Sequence, residues 1–170
     1  MLSFLFRRLT EGPQACAELF NSLTASARLP HWYVEGSVPD TLDGRFALLA
    51  TVIALAIVRL EQLDEEGNAM SVALTERFIQ VMESEHRELG LGDPALGKTV
   101  RRLVGALAWR VELWRSAAAD RRKWTEASRE SVYAAGVPAE ALSHSASALE
   151  RFWNELERMT VEDLRQGDLS

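Results

Sequence analysis

Apolar residues along this chain recur mostly every three to four positions, and strict alternation of apolar and polar residues is nearly absent. That periodicity predicts helices and argues against strands. The clearest case is the stretch from Phe46 to Val58, which carries no charge at all. At about 13 residues it falls short of the roughly 20 needed to cross a bilayer. It reads instead as the middle of a helix, about 41–62, apolar on every side and buried in the protein. Around it the pattern predicts a short helix near 2–9 and another from about Pro13 to Arg28. Further helices are expected from Met70 to Leu89, from Pro94 to Ala119 or beyond, near Glu126–Ala135, and from Pro138 to Met159. Pro30 to Pro39, holding His31-Trp32-Tyr33, reads as a connection, and Gly136 and Pro138 separate the last two helices. The expected fold is all-α: one domain over 1–170, a bundle of six to seven helices around the buried one. The ends, 1–12 and 160–170, are polar or short enough to be flexible.

Two helices carry residues that sit awkwardly on their apolar faces. Leu74, Phe78, Val81, Met82 and Leu89 form the stripe of the 70–89 helix, and Glu85 falls inside it. A carboxylate there needs a cation or water. Arg45 and Arg59, on the buried helix, are the expected partners in an internal ion pair. On the 94–119 helix, Val100, Leu103, Val104, Leu107, Val111, Trp114 and Ala118 make the core stripe. Lys98, Arg101, Arg102, Gly105, Trp109 and Glu112 fall on the opposite face. Trp109 is then either covered by another segment or exposed as an anchor for a partner, because aromatic and arginine side chains dominate interface hot spots. Lys98, Arg101, Arg102 and Trp109 are therefore the candidate partner-binding residues.

The segment from Arg87 to Thr99 allows three readings. Gly92 to Thr99 fits G-x-x-x-x-G-K-[ST], the phosphate-binding loop of NTPases. Its context argues against that function: a charged, helix-favouring run precedes Gly92 where a strand is required. Pro94 also removes one of the N–H donors that phosphates need. As a turn between helices the same residues have local roles. Gly90 suits the left-handed position after a helix end, with Leu91 folding back. Asp93 suits the N-cap of the next helix and Pro94 its first position.

The third reading is a resemblance. Asp43-Gly44-Arg45-Phe46 and Arg87-Glu88-Leu89-Gly90-Leu91-Gly92-Asp93 resemble signature blocks of the ubiquinol–cytochrome c chaperone family. Tyr33, Leu48-Leu49, Val58-Arg59-Leu60, Met82-Glu83, Lys98 and Arg101-Arg102-Leu103 extend the likeness over roughly 15–135. The chain departs from the family pattern at Thr51-Val52-Ile53, at His86 and at Ala108-Trp109-Arg110. Gly97, which completes the phosphate-loop pattern, is not part of the signature. The resemblance implies a helical, non-enzymatic chaperone that needs no cofactor. It implies binding of newly made cytochrome b, or an early intermediate, in the assembly of ubiquinol–cytochrome c reductase. A second assembly factor or the ribosome are further partners it suggests. The signature residues Asp43, Gly44, Arg45, Phe46, Arg87, Glu88, Gly90, Gly92 and Asp93 are expected to be structural. A generic helical adaptor is the alternative reading of the residues themselves, and an NTPase a remote one.

Composition narrows the field further. The 170 residues carry a net charge of −6, which does not suit a general nucleic-acid binder. Cys16 is the single cysteine, so no internal disulfide can form, and a reducing compartment is the natural reading. His31, His86 and His144 lie far apart and lack metal-site spacing. The start, Met1-Leu2-Ser3-Phe4-Leu5-Phe6-Arg7-Arg8, has no secretory signal, because its charges follow a short apolar run. It suits a bacterial protein better than an imported one. The expected place of action is cytoplasmic, transiently peripheral to the inner membrane, or the mitochondrial matrix in a eukaryote. No transmembrane segment is expected.

Overall fold

The helix predicted over 41–62 runs from Leu42 to Glu61 (α3) and is the hub of the protein. Thr41 caps it, its side chain accepting from the Gly44 amide at 3.2 Å. Every residue from Ala50 to Val58 is buried. An all-apolar helix needs neighbours on all sides, and this one touches five other helices.

The computed structural model describes residues 16–169. Among them are eight α-helices and one 3-10 turn, with no strand. The expected helix near 2–9 and the start of the next at Pro13 lie outside the described residues. Besides α3, the helices are α1 (Ala17–Ala27), α2 (Pro30–Tyr33), α4 (Glu65–Glu88) and α5 (Asp93–Ala119). The 3-10 turn Arg121–Lys123 follows, then α6 (Trp124–Val132), α7 (Ala139–Arg158) and α8 (Val161–Gln166). The architecture is the all-α bundle that the periodicity predicts. Helices α1, α4, α5, α6 and α7 surround α3.

Several boundaries differ from the sequence reading for local reasons. Helix α4 starts at Glu65, ahead of its first apolar stripe residue. Asp64 accepts from the Gly67 amide at 3.1 Å, and Glu65 and Glu66 complement the positive end of the helix. The segment at His31-Trp32-Tyr33 is not a plain connection but the single turn α2. The Trp32 indole donates to the Ser26 carbonyl at 2.8 Å, and a 3.0 Å hydrogen bond joins the His31 and His144 rings, tying α2 to α7. Residues 161–166, read as part of a polar tail, form α8. Thr160 and Asp163 make a reciprocal capping box, Leu164 is buried, and Ser22 of α1 donates to the Gly167 carbonyl at 2.6 Å.

Arg59 is not the partner of Glu85. It donates to the carbonyls of Leu156, Glu157 and Met159 at 2.9–3.2 Å, which satisfies the end of α7. Arg45 pairs with Asp40 at 2.6 Å. Glu85 is exposed. The internal ion pair expected for it does not exist, because the last turn of α4 faces a cleft rather than a packed helix.

Candidate functional site

The turn from Gly90 to Pro94 closes the helical hairpin that frames the site. Gly90 has φ +87, the left-handed conformation expected of it. Its amide donates to the Arg87 carbonyl at 3.0 Å, and that of Leu91 donates to the His86 carbonyl at 3.3 Å. The two bonds together cap α4. The N-cap of α5, however, is Gly92 and not Asp93. Asp93 and Pro94 are already the first two helical residues, so the Asp93 carboxylate caps nothing and only faces the positive end of the helix. The phosphate-loop reading fails on the same geometry: Gly92 follows a helix, and Asp93 to Thr99 are helical.

Between the ends of α1 and α2, the start of α3, the last turns of α4 and the middle of α5 lies a cleft of about 990 Å³. Its inner surface includes Phe20, Phe46, Leu49, Val81, Met82 and Leu103. Val34, Leu42 and Leu89 also line it, and these are 71, 76 and 68% exposed. Large apolar side chains so exposed and gathered around one hollow are the mark of a binding surface.

The signature residues divide into two groups here. Asp43, Arg45, Phe46 and Glu88 line the cleft. Gly44 shapes it: a Cβ at this position would stand 1.9 Å from the Pro39 carbonyl oxygen, so only glycine lets the chain entering α3 fold against its first turn. Gly90 and Gly92 form the turn, and Arg87 and Asp93 are exposed beside it. Burial raises the pKa of the Tyr33 hydroxyl on the cleft wall above its ordinary value. That hydroxyl donates to the Ala27 carbonyl at 2.8 Å.

Lys98, Arg101, Arg102 and Trp109 share one face of α5, as the helical spacing predicts, and all four are exposed. Trp109 is 46% exposed, so nearly half of its surface is left open. Arg102 is the member of this set that also lines the cleft. The other three lie on the same helix face outside it.

One residue escaped the sequence reading. Arg110 is only 9% exposed, and no described carboxylate pairs with it. Its Nε and Nη2 donate to the Ser131 carbonyl at 3.1 and 2.9 Å, and Nη1 donates to the Ala106 carbonyl at 3.0 Å. Its guanidinium lies 5.8 Å from the ring centre of Phe46 and 5.4 Å from that of Trp109. Burial pulls its pKa down to about 10. Arg110 thus joins the cleft wall, the exposed tryptophan and the end of α6. Its position three residues after Leu107 and four before Trp114 was the available signal, since that spacing places it on the core stripe. A buried polar cluster continues inward. Ser131 Oγ lies 2.6 Å from Thr51 Oγ1 and accepts from the Trp114 indole at 3.0 Å.

This arrangement is suited to holding another chain. Its apolar floor, exposed apolar rim and flanking charges are binding features. Among the described residues, no cluster of three or more His, Cys, Asp or Glu could hold a metal ion. Residues 35–170 match the sequence profile of the ubiquinol-cytochrome C chaperones. The chain belongs to the ubiquinol–cytochrome c chaperone family. The crystal structure of the Cbp3 homolog from Brucella abortus is similar to it, with 27% sequence identity and a TM-score of 0.78. That likeness covers 100% of this chain and 96% of the other. A comparison with curated proteins gives no match. Membership assigns this protein the coarse role of an assembly chaperone for ubiquinol–cytochrome c reductase. Among the described residues, no helix is long and apolar enough to cross a membrane.

Proposed function

We propose that this chaperone binds newly made cytochrome b, or an early intermediate containing it, and holds it for incorporation into the reductase. The observation that carries the reading is the cleft, with an apolar floor and with Val34, Leu42 and Leu89 left exposed around it. A nascent membrane protein has apolar segments that need cover until they enter the bilayer. Exposed apolar surface on the chaperone supplies that cover.

The α5 face adds a second element of the same surface. Lys98, Arg101 and Arg102 engage acidic or polar loops of the client, and Trp109 supplies the lasting contact. The chaperone acts by binding and not by catalysis. It works peripherally at the inner membrane, where such a client is inserted. A second assembly factor or the ribosome would meet it there.

The test is a pull-down of the tagged protein from membranes of its native host, with cytochrome b as the band examined. Deletion of the gene should remove the assembled reductase. An intact reductase after deletion, with no cytochrome b in the pull-down, would refute this reading in favour of a generic adaptor.

A further inference from the structure

The size of the cleft and the placing of its charges specify the client segment more closely. This step rests on the chaperone reading above. An α-helix with its side chains is 10–12 Å wide and advances 5.4 Å per turn, so each turn fills roughly 500 Å³. A cleft of about 990 Å³ therefore takes about two turns.

The charges lining the cleft are unevenly placed. On the α1–α3 side, Arg45 is tied to Asp40, and Arg28 acts with both of them on the Tyr33 hydroxyl. Asp43 lies on the same side, and Arg102 is exposed on α5. The α4 wall carries Glu85, His86 and Glu88. The His86 ring is half-buried with Nδ1 2.8 Å from the Met82 carbonyl oxygen, whereas Glu85 and Glu88 are exposed and neither is in an ion pair among the described residues. They stand on the last turn of α4, where the helix itself contributes partial negative charge. Leu89, 68% exposed, lies directly beside them. An apolar surface thus ends in a negative one.

We propose that the cleft holds about two turns of an apolar client helix bearing Lys or Arg at one end, with Glu85 and Glu88 reading that cation. Membrane-spanning helices have this chemistry on the side where the chain is made, since cytoplasmic loops carry an excess of Lys and Arg. The α4 wall sets the direction in which the segment lies, and the apolar floor supplies the affinity. A helix ending in Asp or Glu would meet the same wall with repulsion.

The experiment uses the full chain and labelled synthetic peptides of about eight apolar residues, ending in either two Lys or two Glu. Fluorescence anisotropy should give about tenfold tighter binding of the Lys-ended peptide. The double variant E85Q/E88Q should bring the two affinities together. Leu42→Ser, which removes apolar contact without adding charge, should weaken both peptides alike. All three positions are exposed, and a thermal melt of each variant checks that the fold is retained. Equal affinities in the wild type, a preference for the Glu-ended peptide, or a preference surviving E85Q/E88Q would each overturn the inference. So would sedimentation showing a dimer that Leu42→Ser dissociates, because a second copy would then own the cleft. Pull-down of cytochrome b separates the two levels. Capture without any peptide preference removes this inference and leaves the proposed function standing. A peptide preference without capture removes cytochrome b as the client and leaves the cleft's preference in place.

Discussion

Arg110 offers the sharpest test of how the site is held together. Burial pulls its pKa well below the ordinary guanidinium value, to about 10, and keeping it charged at neutral pH therefore costs roughly 3 kcal/mol. Against that stand two charged hydrogen bonds to the Ser131 carbonyl, one to Ala106, and contacts with the Phe46 and Trp109 rings. Two of the three bonds share the Ser131 carbonyl, so two acceptors are served, and at the low end for charged bonds, about 1.5 kcal/mol each, they contribute about 3 kcal/mol. The opposing effects nearly balance, and the aliphatic stem, packed in the interior, remains as a stabilising contribution. Arg110→Met keeps the stem and removes the charge. The Ser131 carbonyl would retain only a long contact of 3.4 Å with Thr51 Oγ1. We expect Arg110→Met to lie within about 1 kcal/mol of wild type, as when a buried charge gives way to an apolar residue. Arg110→Ala removes the stem as well and leaves a hollow under Phe46, and should cost about 2–3 kcal/mol more than Met. In thermal melts the two variants should differ by roughly 4–12 °C. Urea melts at constant m-value give the same comparison. A Met variant as unstable as the Ala variant would refute the reasoning, because the charge itself would then be what holds α5 to α6.

Gly44→Ala should cost about 3 kcal/mol, because its new Cβ would stand 1.9 Å from the Pro39 carbonyl oxygen and force the backbone to move. Gly90→Ala meets no atom within 4 Å and should cost only about 1–2 kcal/mol, for a side chain at positive φ; urea melts showing the reverse order would contradict both assignments. Trp109→Ala should lower stability by about 1–2 kcal/mol, short of the 3–5 kcal/mol of a fully buried Trp, while cytochrome b capture falls. A drop of buried-Trp size with capture intact would count against the α5 face. The Cys16 thiol, pushed up to about 11 by burial, stays neutral in the folded chain while an unfolded one ionises near 9. Its contribution of about 2–3 kcal/mol is therefore complete below pH 9 and lost as pH rises to 11, so Cys16→Ala should show a flatter stability–pH curve there. Calorimetry with ATP should show no binding that depends on Lys98, since the residues of the phosphate-loop pattern are helical from Asp93 onward.

Much of the bundle can be read from local signals. An uncharged apolar run long enough for a helix and too short for a membrane, capped by Thr41, has few outcomes other than burial, and α3 takes it. Gly90 shows the same economy, because few other residues accept a φ of +87 after a helix. Helical spacing likewise put Lys98, Arg101, Arg102 and Trp109 on one face of α5. The family signature was also legible in the two blocks around Gly44 and Gly90. Short-range chemistry was less decisive between near equals: Gly92 took the cap expected of Asp93, and Thr160 with Asp163 built α8 where the composition was merely polar.

What the sequence could not supply is which faces meet. Periodicity shows that Glu85 shares a stripe with Met82 and Leu89, but not that this stripe runs past its neighbours into a cleft. Trp109 could have been covered or free, and only the paths of distant segments leave it 46% exposed. The burial of Arg110 depends on Ser131, 21 residues away, presenting a carbonyl. The cleft itself is bounded by residues from Phe20 to Leu103, far apart along the chain. A side chain's own helix fixes the direction in which it points. Whether another chain segment, the client or water stands there is decided by contacts between residues remote in sequence, and those exist only once the helices have packed.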